Sequence, residues 1–226
     1  MDVVTGAAHP GTRIGVARRR VDAVAAAIGA ITFLLCAVVA SSGQVSGPER
    51  SVFSWINGLP DVLTTPAHMA QFLGVLAIGP IVALVALVAR RPRLAAAALI
   101  VTALKLISER LVWRLIARER PGVTEPGAHV RAGTPTSGLS FVSGHVVLVT
   151  GLAWVATPYL HGRWRWLPWI AVAVVAFARV YLGAHNPLDV VGGFGLGLTI
   201  GGLTNLLLGI PEEQVVEVAA ADGRPS

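Results

Sequence analysis

Residues 23–48, 69–89 and 190–211 carry no charged side chain. Each stretch is long enough to cross a hydrocarbon core about 30 Å thick as a helix rising about 1.5 Å per residue. The composition agrees with such spans, since 54% of residues are hydrophobic and only 13% are charged. The apolar residues come in blocks, without the period-2 alternation that a membrane barrel needs. Three shorter blocks, 94–104, 146–160 and 166–178, lie between the long ones and are bounded by Lys105, His145 and Arg179. Each reaches spanning length once it takes in ionisable residues at one end. The sequence therefore predicts an all-α polytopic membrane protein with six transmembrane helices, near 21–43, 69–89, 94–116, 143–160, 164–183 and 187–209.

The arginines set the expected orientation. Arg13, Arg18, Arg19 and Arg20 precede the first span, Arg90, Arg91 and Arg93 separate the second and third, and Arg163 and Arg165 separate the fourth and fifth. All fall on one side of a six-span chain, which the positive-inside rule makes the cytoplasm, with both termini there. Residues 1–20 then read as a basic cytoplasmic tail, 21–209 as the membrane domain and 210–226 as a second cytoplasmic tail. A cleavable leader ending near Val38-Val39-Ala40 is disfavoured, because the uncharged run exceeds a signal core of about 7–15 residues. The net charge of +6 is divided by membrane side and gives no face for nucleic acid. Cys36 is the single cysteine, which excludes an internal disulfide and a cysteine-based metal site.

Against this bias, Arg110, Arg114, Arg118, Arg120 and Arg131 fall on the outer side. They share it with Ser143-Gly144-His145 and with Arg179, His185 and Asp189, spaced R-x5-H-x3-D. Phosphate oxygens need dispersed positive charge, and arginine offers planar, permanently charged donors. Ser143 and Gly144 open a helix, where unpaired backbone N–H groups favour an anion. A carboxylate bonded to one nitrogen of His185 fixes its tautomer and frees the other to attack phosphorus, while His145 protonates the leaving oxygen. A divalent ion at the two histidines is disfavoured by the surrounding arginines. His9, His68, His129 and His161 read as interfacial residues. Gly193, Gly197 and Gly201 read as a helix-packing stripe, and Val52, Phe53, Ile56 and Leu59 as the apolar face of a short surface helix.

These segments resemble the phosphatidic acid phosphatase type 2 and vanadium haloperoxidase superfamily, whose pattern is Lys-x6-Arg-Pro, Pro-Ser-Gly-His and Ser-Arg-x5-His-x3-Asp. The third segment matches at Arg179, His185 and Asp189, with Ala178 in place of Ser. The second matches at Ser143, Gly144 and His145, with Val142 in place of Pro. The first matches at Arg120-Pro121, but its lysine position falls on Trp113. Arg114 is the expected substitute cation, with Arg110 and Arg118 as further candidates. The resemblance implies a lipid phosphatase without metal or other cofactor, in the cell membrane with its site on the extracytoplasmic face. His185 would be the nucleophile, His145 the general acid and Asp189 the orienter of His185. Arg120, Arg179, Ser143, Gly144 and Arg114 would bind the phosphate of a polyprenyl (di)phosphate, phosphatidate or phosphatidylglycerophosphate. Transfer to another acceptor, or lipid binding without turnover, are the alternatives.

Overall fold

The computed structural model describes residues 15–212; the outer parts of both expected tails, and His9, lie outside them. The described chain is mostly helical. Helices α1 (Arg20–Ala40), α2 (Gly47–Asn57), α3 (Thr64–Gln71), α4 (Ile78–Val88), α5 (Pro92–Leu115) and the single turn α6 (Pro121–Thr124) are followed by α7 (Gly144–Ala156), α8 (Leu167–Tyr181) and α9 (Pro187–Leu208). Two of them, α1 and α9, are long and apolar enough to cross a membrane unaided. A third crossing is available to Asp61–Gly74 with Ile78–Val88, bent by 63° between the two parts. The other predicted spans correspond to α5, which carries Lys105, Glu109, Arg110 and Arg114, and to α7 and α8. These last two are 13 and 15 residues long and are extended by 3-10 turns at Thr157–Tyr159 and Gly162–Trp166.

Helix α9 is the centre of the bundle, packed against α1 on one side and α7 on the other. Its glycines make both contacts possible. A side chain at Gly195 would come within 2.8 Å of the Gly29 carbonyl on α1, and one at Gly197 within 2.7 Å of the Val147 carbonyl on α7. Gly193 and Gly201 meet α7 in the same way, so the expected stripe is half of a two-sided seam in which backbones approach closely.

Polar contacts gather the arginine clusters at one end. Strand β1 (Val16–Ala17) pairs antiparallel with β2 (Ile210–Pro211). Arg18 donates to the Leu206 carbonyl (3.0 Å) and Arg93 to that of Leu208 (2.7 Å), and the Arg91 guanidinium lies over the Tyr159 ring. Here Asp22, 1% exposed, accepts from Arg19, Trp154 and Asn205 and ties three helices together. Order thus extends beyond the tail boundaries expected at 20 and 210.

The opposite end is formed by α2, the segment 116–143 and the turn between α8 and α9. Helix α2 begins at Ser46, whose hydroxyl accepts the Glu49 N–H. Its buried stripe is Glu49, Phe53 and Asn57, while Val52 is half exposed. The surface helix therefore forms, but two of its three inward residues are polar, because they bind groups of the site and its supporting loop. Asn57 is bonded to the backbone of His129 and Tyr181. Arg131 is 8% exposed, stacks on the Tyr181 ring and donates to the carbonyls of Asn57, Leu59 and Tyr181, which makes it a structural tie.

Candidate active site

Four chain segments meet at this end. Helix α7 starts at Ser143, whose own N–H is bonded to the Asp189 carbonyl (3.1 Å), so the Ser143-Gly144-His145 segment and the first turn of α9 are fixed to each other. Arg179 occupies the last turn of α8, and its carbonyl accepts the N–H groups of Ala184 (3.0 Å) and His185 (3.2 Å). This tight turn folds His185 back towards Arg179. Arg120, from the extended segment before α6, donates to the Ala184 carbonyl (2.8 Å) and so reaches the same turn. Arg179, His185, Lys105 and Arg120 all lie close enough to His145 to act on its charge.

Seven of the eight site residues expected from sequence, Arg120, Ser143, Gly144, His145, Arg179, His185 and Asp189, are thus brought together. Several carry polar atoms with no protein partner although buried: Ser143 Oγ, Arg179 Nε and His185 Nδ1. Buried donors normally have acceptors, and two of these belong to residues expected to hold phosphate. Asp189 Oδ2 is 3.7 Å from His185 Nδ1, an ion-pair spacing, and accepts its hydrogen bond from the Asn186 N–H (2.9 Å) at the start of α9. Burial, reinforced by the charges of Arg179 and Arg120, holds the His185 pKa well below its ordinary value; a hydrogen bond to the Ser140 backbone works the other way. The imidazole is therefore neutral at pH 7, as a nucleophile requires.

Arg114 is not among the convergent residues. It is exposed and pairs with no described side chain. The cation beside His145 is instead Lys105, the single lysine of the chain. Helix geometry supplies the reason: Lys105 and Glu109 share one stripe of α5, whereas Arg114, nine positions beyond Lys105, is rotated by about 180°. Lys105 Nζ is 2.7 Å from Glu109 Oε2, and a side chain at Gly144 would collide with both residues, so only glycine lets α7 start against them. Trp113, at the expected lysine position, has a buried indole N–H without an acceptor. Arg110 is exposed. Arg118 is fully buried between Glu49 and Asp189. Val142 and Ala178, at the other two departures from the motif, are both fully buried apolar residues.

Sequence reasoning also missed the contribution of the bent second segment. Gln71 Oε1 accepts from Arg179 Nη1 (2.6 Å) and its amide contacts His68 Nδ1 (3.0 Å), so His68 supports an arginine of the site. Gly74 backs His145, since a side chain there would lie 2.8 Å from the His145 Cβ. The available signals were a lone lysine in an apolar block and a glutamine at the edge of another.

Known proteins resemble this chain in sequence and in fold. The chain is 38% identical over 97 residues to the decaprenylphosphoryl-5-phosphoribose phosphatase of Mycobacterium tuberculosis, a match spanning 42% of this chain and about half, 50%, of that protein's length. It is 29% identical over 155 residues to the putative undecaprenyl-diphosphatase YbjG of Escherichia coli, covering 66% of this chain and 76% of that one. The fold superposes on the crystal structure of a transmembrane PAP2-type phosphatidylglycerolphosphate phosphatase from Bacillus subtilis with a TM-score of 0.65 at 19% identity, over 79% of this chain and 94% of the other. Residues 72–209, more than half of the chain, match the PAP2 superfamily model, and the protein belongs to that superfamily.

Proposed function

We propose that this integral membrane protein is a lipid phosphatase that passes the phosphoryl group of a lipid phosphate or diphosphate to His185 and then to water. In the first step His185 forms an N–P bond through the ring nitrogen away from Asp189, the P–O bond to the leaving group breaks, and His145 gives that oxygen its proton. In the second step His145 takes a proton from water, the water oxygen bonds to phosphorus and the N–P bond breaks. Arg120, Arg179, Lys105, Ser143 and the N–H groups opening α7 would stabilise the charge on the transferring group. The observation that carries this reading is the meeting of His145, His185, Arg120 and Arg179 around buried donors that no protein atom satisfies. Catalysis by these side chains needs no metal ion.

Six crossings would comprise α1, the bent pair, α5, α7, α8 and α9. The end that gathers Arg18, Arg91 and Arg93 would face the cytoplasm, and the site would open on the extracytoplasmic side. Polyprenyl phosphates are the favoured substrates, because the named activities of the mycobacterial and Escherichia coli relatives concern polyprenyl-linked phosphates. A tail has a path beside the site. An apolar crevice of about 160 Å³, lined by Leu73, Ile78, Val149, Leu152, Ala153 and Ala171, begins next to Gly74 and one helical turn below His145.

Purified protein in detergent with a chelator of divalent cations is expected to release inorganic phosphate from a panel of lipid phosphates; phosphate bound but never released would contradict the reading. Ala153→Phe, which fills the crevice, is expected to raise KM for a long-chain polyprenyl phosphate and leave a short-chain analogue within about twofold; equal effects on both would remove the crevice from the tail's path.

A further inference from the structure

Arg118 carries a full positive charge with no exposure, an arrangement tolerated only when charged partners are well placed. Its partners are carboxylates from distant parts of the chain. Nη1 donates to Asp189 Oδ1 at 3.0 Å, and Nη2 to Glu49 Oε2 at 2.6 Å and to the Gln44 carbonyl at 3.3 Å. The second oxygen of Glu49 accepts the Leu188 N–H at 3.0 Å, one residue before Asp189. Helix α2 is thereby attached both to the arginine and to the first turn of α9. The remaining oxygen of Asp189 is the one that faces His185 Nδ1.

The charges in this cluster do not cancel. In a one-to-one pair with Arg118, Asp189 would have little charge left for His185. With Glu49 competing for the same guanidinium, two carboxylates share one cation and a net negative charge remains beside the imidazole. We infer that Glu49 and Arg118 are positioning residues: Arg118 keeps Asp189 ionised, and Glu49 holds Arg118 and offsets its charge, so that Asp189 stays turned towards His185, one tautomer persists and the charge on the phosphorylated ring is offset. The inference rests on the proposed phosphatase function.

The other charged or titratable groups around this centre are Arg179 on α8, Arg120 before α6, His145 on α7 with Lys105 and Glu109 of α5 beyond it, and Cys36 on α1 beside the cluster. Of these, Cys36 feels the charges of Glu49 and Arg118 directly. The acidic limb of a kcat–pH profile reports protonation of the Asp189–His185 pair, and the sign of its displacement follows from the charge removed, which acts on both groups in the same direction. Glu49→Gln makes the cluster neutral, destabilises protonated His185 and is expected to move the limb to lower pH by about one unit. Arg118→Gln leaves two carboxylates without a counter-ion and is expected to move it upward. In both variants kcat should fall about 10- to 100-fold, the usual cost of removing a partner that orients a histidine, with KM within about twofold.

The measurement is phosphate release from a short-chain lipid phosphate by full-length protein in detergent across pH, with thermal unfolding followed in parallel. A purely structural tie would lower unfolding temperature and activity but leave the limb in place. An unmoved limb in Glu49→Gln, or displacement of both variants in the same direction, overturns the inference. Glu49→Gln nearly preserves side-chain shape and decides alone should Arg118→Gln fail to fold. Wild-type protein that releases phosphate while the variants' limbs stay fixed leaves the phosphatase reading standing and removes this one; wild-type protein that releases none removes both.

Discussion

His185→Ala is expected to reduce kcat by about 10⁴-fold or more, the scale on which loss of a covalent nucleophile acts, while lipid-phosphate binding survives. The proposed phosphate ligands, Arg120, Arg179 and the start of α7, are held by contacts that do not involve the His185 side chain. Arg120 is fixed by the Ala184 carbonyl, Arg179 by Gln71 and Ser143 by the Asp189 backbone. The comparison variant is His145→Ala, where loss of a general acid costs about 10²- to 10⁴-fold. That cost should shrink for substrates whose leaving group needs no proton, whereas the His185 defect should not depend on the leaving group. A His185→Ala protein retaining a tenth of wild-type kcat would remove the nucleophile assignment.

Lys105→Ala is expected to lower kcat/KM by about 10²- to 10³-fold, the effect of removing one preorganised charge from a transition-state site, and Arg114→Ala to stay within about twofold. The contrast follows from the two faces of α5, one turned to His145 and Gly144, the other exposed. Kinetics of both variants on the same lipid phosphate checks it. Reversal of the order would restore Arg114 as the working cation and leave Lys105 as a partner of Glu109 only.

Much of the architecture was legible in the sequence because the physics behind it is one-dimensional. Uncharged runs of spanning length cannot be hidden in water, and they located α1 and α9 to within a few residues. The fixed offsets among Arg179, His185 and Asp189, and the triplet at 143–145, survive folding because each lies within one turn or one helix start. What was not legible depends on pairing across the chain. Spacing along a motif placed the missing cation at Trp113 and its neighbour, but helical rotation puts Arg114 on the wrong face and Lys105 on the right one. Arg118, by position a candidate for the missing cation, is instead held by Glu49 and Asp189, 69 and 71 residues away. The close approach of Gly74 to His145 is likewise a contact no local pattern encodes. Arg131, counted in the sequence only among the arginines set against the charge bias, holds the segment 116–143 to Tyr181.

The proposed phosphohistidine at His185 is open to direct trapping. Wild-type protein and His145→Ala are mixed with a lipid phosphate labelled in its phosphoryl group, quenched in alkali, where phosphohistidine survives, and digested for peptide mapping. Label is expected on the peptide containing His185, accumulating in His145→Ala because water is no longer activated, and absent from His185→Ala. Phosphate release without label on any histidine, or label on His145 with His185 unmodified, would contradict it.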